Sequence, residues 1–167
     1  YDTLNDIISQ PVERPSGHQF LQRPKLTGKI EFQDVTFTYP GADIQALSNV
    51  SFKIEPGEKI AIIGRIGSGK STIAKLMLRL YEPDSGTILI DGIDISQIDP
   101  ADLRRSMSYV PQDVHLFKGT LKENIISSER HPSDEEVIRA SIVSGTYEFV
   151  HTHPKGYDMP IGERGAG

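Results

Sequence analysis

The run Gly64-Arg65-Ile66-Gly67-Ser68-Gly69-Lys70-Ser71 matches the pattern G-x-x-x-x-G-K-[ST] at every fixed position. It constrains the chain on both sides, because the pattern works as a turn between an apolar strand and a helix. Lys59-Ile60-Ala61-Ile62-Ile63 reads as that strand, buried on both faces, and Ile73, Leu76, Met77 and Leu80 recur at the i, i+3, i+4, i+7 spacing of an amphipathic helix. Without side chains at Gly64, Gly67 and Gly69, the backbone can wrap round a polyphosphate and aim successive N–H groups inward, flanked by Ser68 and Thr72. Lys70 brings a mobile point charge to the outer phosphates, and the Ser71 hydroxyl is placed to hold Mg²⁺. The positive end of the helix faces the same place. The spacing therefore predicts a nucleoside triphosphate site.

Composition removes other classes. The 167 residues are 37% hydrophobic and 25% charged, enough for one domain with a real core. A net charge of -5 argues against a nucleic-acid partner, and Arg104-Arg105 reads as a solvated helix face. Cysteine is absent, so there is no disulfide frame, thiol nucleophile or thiolate metal site, which fits a reducing compartment. No apolar run approaches about 18 residues and no leader precedes one, so any link to a membrane is expected from elsewhere. His151-Thr152-His153 looks like a metal pair, but it lies in a loop beside Pro154 with no cysteine or helical partner ligand. A structural or solvated role is the better reading.

Along the chain, Leu4, Ile7 and Ile8 share one helical face, and Pro11, Pro15, Ser16, Gly17 and Pro24 then break it: a helix tail followed by a linker. Ile30 and Phe32 alternate, then Val35, Phe37 and Tyr39 alternate in the opposite phase, and the slip at Asp34 predicts a β-bulge. Val50, Phe52 and Ile54 form a second strand, Thr87 to Ile90 a third that ends at the Asp91-Gly92 turn, and Met107 to Val110 a further core strand. Pro100 opens a helix. Ser133 with Glu136 makes a capping box ahead of Val137, Ile138 and Ile142, and Gly145 stops that helix. A small antiparallel layer followed by an α/β core and a mainly helical second half is expected.

Several of these pieces, in this order, resemble the nucleotide-binding domain of an ATP-binding cassette (ABC) exporter. Phe37-Thr38-Tyr39-Pro40-Gly41 is similar to the segment whose aromatic ring stacks on adenine; Tyr39 could stack on guanine as well, or simply pack in the sheet. Tyr109-Val110-Pro111-Gln112-Asp113 resembles the Q-loop, which implies that Gln112 offers its carbonyl oxygen to the metal or to water near the γ-phosphate. Ile161-Gly162-Glu163-Arg164-Gly165 is similar to the exporter segment that touches the transmembrane domains, which implies a coupling role for Glu163, Arg164 and Gly165. Gly64 to Thr72 and Ile98 to Arg105 look most like the type I secretion subgroup, exporters of polypeptides.

The resemblance implies an α/β P-loop ATPase core with an antiparallel β subdomain and the start of an α-helical subdomain. Residues 1–27 would be the end of a transmembrane-domain helix and its linker, 28–111 the β and P-loop core, and 112–167 the Q-loop and an incomplete helical subdomain. ATP and Mg²⁺ are the implied cofactors, with Lys70 and Gln112 as the catalytic residues. The implied partners are a second nucleotide-binding domain in a homodimer, the transmembrane domains, and for type I secretion a periplasmic adaptor and an outer-membrane duct. The implied location is the cytoplasmic face of the inner membrane. The signature sequence, the catalytic glutamate and the switch histidine are expected beyond Gly167, with strands of the central sheet. Export of lipid or small molecules, a soluble ABC ATPase of repair or translation, and a nucleotide sensor without turnover remain alternatives.

Overall fold

The computed structural model describes residues 12–15, 17, 19–22, 25–126 and 132–162, and divides into two compact units, Tyr1–Tyr109 and Val110–Gly167. The first unit is built on a four-stranded antiparallel sheet of order β2-β1-β3-β4, from β1 (Ile30–Thr38), β2 (Gln45–Ile54), β3 (Ser85–Ile90) and β4 (Ile93–Asp94). The slip in alternation is a real bulge: Asp34 has φ 49°, and the register shifts between Phe32 and Val35 against β2 and between Gln33 and Thr36 against β3. Two 2.8 Å hydrogen bonds lock it, one from the Asp34 N–H to Ser51 Oγ and one from that hydroxyl to Asp34 Oδ1. The bulge lets Phe32, Val35 and Phe37 all enter the core despite the phase change, where they meet Leu47, Ile88 and Ile90.

Helix α1 (Lys70–Met77) lays Ile73 and Leu76 on this core. It stops before Leu80, which is exposed, because the chain turns left-handed at Arg79 (φ 52°). Helix α2 (Pro100–Arg105) starts at Pro100 as expected, with Asp99 Oδ1 accepting from the Ala101 and Asp102 amides at 2.8 and 3.4 Å. Arg14 pairs with the same Asp99 carboxylate.

The solvated reading of Arg104 is corrected. Its guanidinium donates to the Leu78 and Arg79 carbonyls, both at 3.0 Å, tying down the end of α1, and forks onto the Glu13 carboxylate at 2.8 and 2.6 Å. Arg105 is exposed and pairs with Asp102 at 3.4 Å.

Two expected strands do not form. Lys59 to Ile63 and Met107 to Val110 are irregular, and Ile63 is 93% and Val110 84% exposed. A strand buried on both faces needs a neighbour on each edge and a layer on each side. Among the described residues no strand pairs with either segment.

In the second unit a two-stranded ladder, β5 (Gly119–Thr120) with β6 (Pro160–Ile161), accompanies α3 (Leu121–Ile125), α4 (Asp134–Ser144) and α5 (Tyr147–Thr152). The Ser133–Glu136 capping box is present, Gly145 closes α4 at φ 75°, and Thr120 with Glu123 makes a second box. Val137, Ser141, Val150 and Ile161 are buried, whereas Ile138 and Ile142 of the expected apolar stripe lie exposed. The lysine of α3, Lys122, pairs with Asp134 at 2.7 Å, which lowers the pKa of that carboxyl. Leu4, Ile7, Ile8, Glu163, Arg164 and Gly165 lie outside the described residues. Among the described residues no helix is long and apolar enough to cross a membrane.

Candidate functional site

Gly69 is the pivot between the loop and α1. It takes φ 81° and ψ 6° as the helix N-cap, and its carbonyl accepts from the Thr72 and Ile73 amides at 3.0 and 3.1 Å. A Cβ there would lie 2.4 Å from the Ala46 carbonyl oxygen and 2.6 Å from Leu47 Cδ2. The start of β2 is thus pressed against the loop backbone, and only glycine allows both the left-handed turn and the approach. Upstream, the Ser68 N–H donates to the Arg65 carbonyl at 3.2 Å, curling the loop.

Lys70 folds back into that curl. Its Nζ donates to the carbonyls of Gly64 and Arg65 at 2.8 and 2.7 Å and approaches Ser68 Oγ at 3.4 Å. An ammonium held by neutral oxygens of its own loop can exchange them for the oxygens of an anion, which make stronger, charge-assisted bonds.

The loop opens on a cavity of about 330 Å³ lined by Tyr39, Gln45, Ala46 and the stretch Gly67 to Thr72, with Ile44 at its side. Tyr39 follows the end of β1, at a turn in which the Ala42 N–H donates to the Tyr39 carbonyl at 2.9 Å. Its hydroxyl shares a 3.0 Å hydrogen bond with Thr72 Oγ1. The ring meets Phe37 and Tyr81 in T-shaped contacts at 4.9 and 5.2 Å, and Lys75 Nζ lies 5.3 Å from its centroid. The arrangement presents, in one concavity, a cation, a helix start, the hydroxyls of Ser68, Ser71 and Thr72, and an aromatic ring.

Of the residues expected from sequence, Tyr39, Gly67, Ser68, Gly69, Lys70, Ser71 and Thr72 line this one cavity, and Gly64 joins through its carbonyl bond to Lys70. Gln112 is exposed in a loop of the second unit. The part played by Gln45 and Ala46 was not foreseen, since only the docking of β2 on the loop reveals it. Lys75, three residues after Thr72 on α1, carried a readable signal in its helical spacing. The two histidines have structural surroundings: His151 stacks on Tyr147 at 5.5 Å, and His153 Nδ1 accepts from the Lys155 N–H at 3.2 Å. Among the described residues no three His, Asp or Glu side chains gather as metal ligands.

Residues 47–165 match the ABC transporter family. The chain belongs to this family. Its fold is that of the ABC ATPase domain, a P-loop NTPase of the α/β class with an antiparallel sheet. It is 48% identical over 141 residues to an uncharacterized ABC transporter ATP-binding protein, YfiB, of Bacillus subtilis, covering 84% of this chain and 25% of the relative. It is 41% identical to the ATP-dependent lipid A-core flippase of Escherichia coli K12, over 98% of this chain and 28% of the flippase. A solved bacterial Atm1-family ABC exporter with ATP bound superposes with a TM-score of 0.82 at 34% identity, over 98% of this chain and 29% of that one. The ABC chain described here therefore spans about a quarter of the length of such relatives.

Proposed function

We propose that this chain is part of the nucleotide-binding domain of an ABC exporter, which binds ATP with Mg²⁺ and, in the full-length protein, hydrolyses it to drive export across a membrane. The observation that carries the reading is the single cavity where Tyr39, the loop glycines, Lys70, Ser71 and Thr72 converge. Binding exchanges the carbonyl contacts of Lys70 for β- and γ-phosphate oxygens, while the loop amides hold the remaining charge. The Ser71 hydroxyl suits Mg²⁺, a hard cation that takes most of its oxygens from water and phosphate. Bound there, Mg²⁺ would neutralise charge developing on the phosphoryl oxygens. Gln112 is the proposed reporter of the γ-phosphate.

Two copies of the domain would close over two nucleotides at the cytoplasmic face of the inner membrane, with Glu163, Arg164 and Gly165 touching the transmembrane domains. Residues 1–27 would link the last membrane helix to residues 28–167, which form the N-terminal part of the domain. The catalytic glutamate, the switch histidine and the strands that would flank Lys59–Ile63 would come from the rest of a longer protein. On cargo, the likeness to a lipid A-core flippase favours a lipid or small amphiphile. The type I secretion reading, with its adaptor and duct, rests on Gly64–Thr72 and Ile98–Arg105 alone and finds no support in the relatives' names.

The test is Lys70→Ala in the full-length protein, which should abolish ATP hydrolysis and weaken ATP binding. Unchanged turnover would remove Lys70 from the mechanism and with it this function.

A further inference from the structure

We infer that Lys75 is a positioning residue for the nucleobase: its ammonium braces and polarises the Tyr39 ring from outside the cavity, so that grip on the base depends on the charge at position 75. This rests on the reading of Tyr39 as the base platform.

Tyr39 lines the cavity, whereas Lys75, Phe37 and Tyr81 contribute nothing to its walls. Lys75 Nζ thus stands over the Tyr39 ring without forming part of the cavity wall. Lys75 Nζ sits 5.3 Å from the ring centroid, inside the range of a cation–π contact. Among the described residues it makes no ion pair, so the ring is the partner its half-buried charge has.

The electrostatics have a direction. A cation on one face draws π density toward itself and makes the opposite face less negative, which improves that face as a stacking surface for an electron-rich base. Thr72, one turn earlier on the same side of α1, fixes the hydroxyl end of the ring at 3.0 Å. The helix that starts at the phosphate loop thus also sets the pose of the base platform, through Thr72 and Lys75. A cation acting on phosphate alone would not distinguish ligands with and without a base.

The experiment compares ADP with pyrophosphate, neither of which turns over, by calorimetry on the full-length protein. Lys75→Met should weaken ADP about two- to fivefold and leave pyrophosphate nearly unchanged, and Lys75→Arg should restore the wild-type ratio. In a Tyr39→Ala background, Lys75→Met should leave the ADP to pyrophosphate ratio where Tyr39→Ala alone put it. Equal losses for the two ligands, or an undiminished effect on the ratio without the Tyr39 ring, would overturn the inference while leaving the nucleotide site intact. If Tyr39→Ala alone failed to change the ratio, the base platform itself would fall, and this inference with it.

Discussion

A methyl group added at Gly69 should be far more damaging than one at Gly67 or Gly64, although all three glycines belong to one loop. At Gly69 two costs add. The left-handed backbone, φ 81°, costs an alanine about 1–2 kcal/mol. A Cβ 2.4 Å from the Ala46 carbonyl and 2.6 Å from Leu47 Cδ2 must push β2 away, an overpacking of about 1–3 kcal/mol. At Gly67, φ 82°, nothing lies within 4 Å, so only the backbone cost of about 1–2 kcal/mol remains. At Gly64 the only close clash of the new Cβ is with Ser68 Oγ at 2.5 Å, the end of a short side chain that can rotate for less than about 1 kcal/mol, while Ser68 Cβ at 3.4 Å and Lys70 Cδ at 4.0 Å are ordinary contacts. Hydrogen exchange of the Thr72 and Ile73 amides, both bonded to the Gly69 carbonyl, reads the local opening of α1 without ligand. Gly69→Ala should speed their exchange about 30-fold or more, corresponding to at least about 2 kcal/mol, and Gly64→Ala only a few-fold. Equal exchange in Gly69→Ala and Gly64→Ala would refute the close approach of β2 to the loop.

The α1 terminus gives a second test: Arg104→Met strips the Leu78 and Arg79 carbonyls of a charged donor and should cost about 1.5–3 kcal/mol in denaturant unfolding. Glu13→Gln, which removes the more exposed half of the fork, should cost less than about 1 kcal/mol. Asp99 has its pKa lowered, chiefly by Arg14 and then by the Ala101 and Asp102 amides. Because the folded pKa lies below the unfolded value, its contribution is present above about pH 4 and is lost as pH falls through the folded pKa. Thermal midpoints should therefore drop less on acidification in Asp99→Asn than in wild type, and parallel curves would contradict the assignment.

What could be read from the chain was whatever acts over a few residues. The Asp34 bulge, the helix start at Pro100, the Ser133–Glu136 box and the Gly145 stop each depend on a local dihedral or a bond across one turn. The phosphate loop is readable for the same reason, since Gly64 to Ser71 supply its curl, cation and hydroxyl from one short stretch. Features set by distant partners were not. Arg104 reads as a surface cation until Glu13, 91 residues away, and the end of α1 are brought to it. Lys59 to Ile63 has the composition of a buried strand but lacks the ladder that would make it one, because a strand's hydrogen bonds always belong to another segment. The sequence alone determined that a polyphosphate could be held; only the packing of β1, β2 and α1 decided that Tyr39 and Ala46 would line the same cavity, with Lys75 against the Tyr39 ring, because side-chain proximity across separate elements is created by burying their shared core.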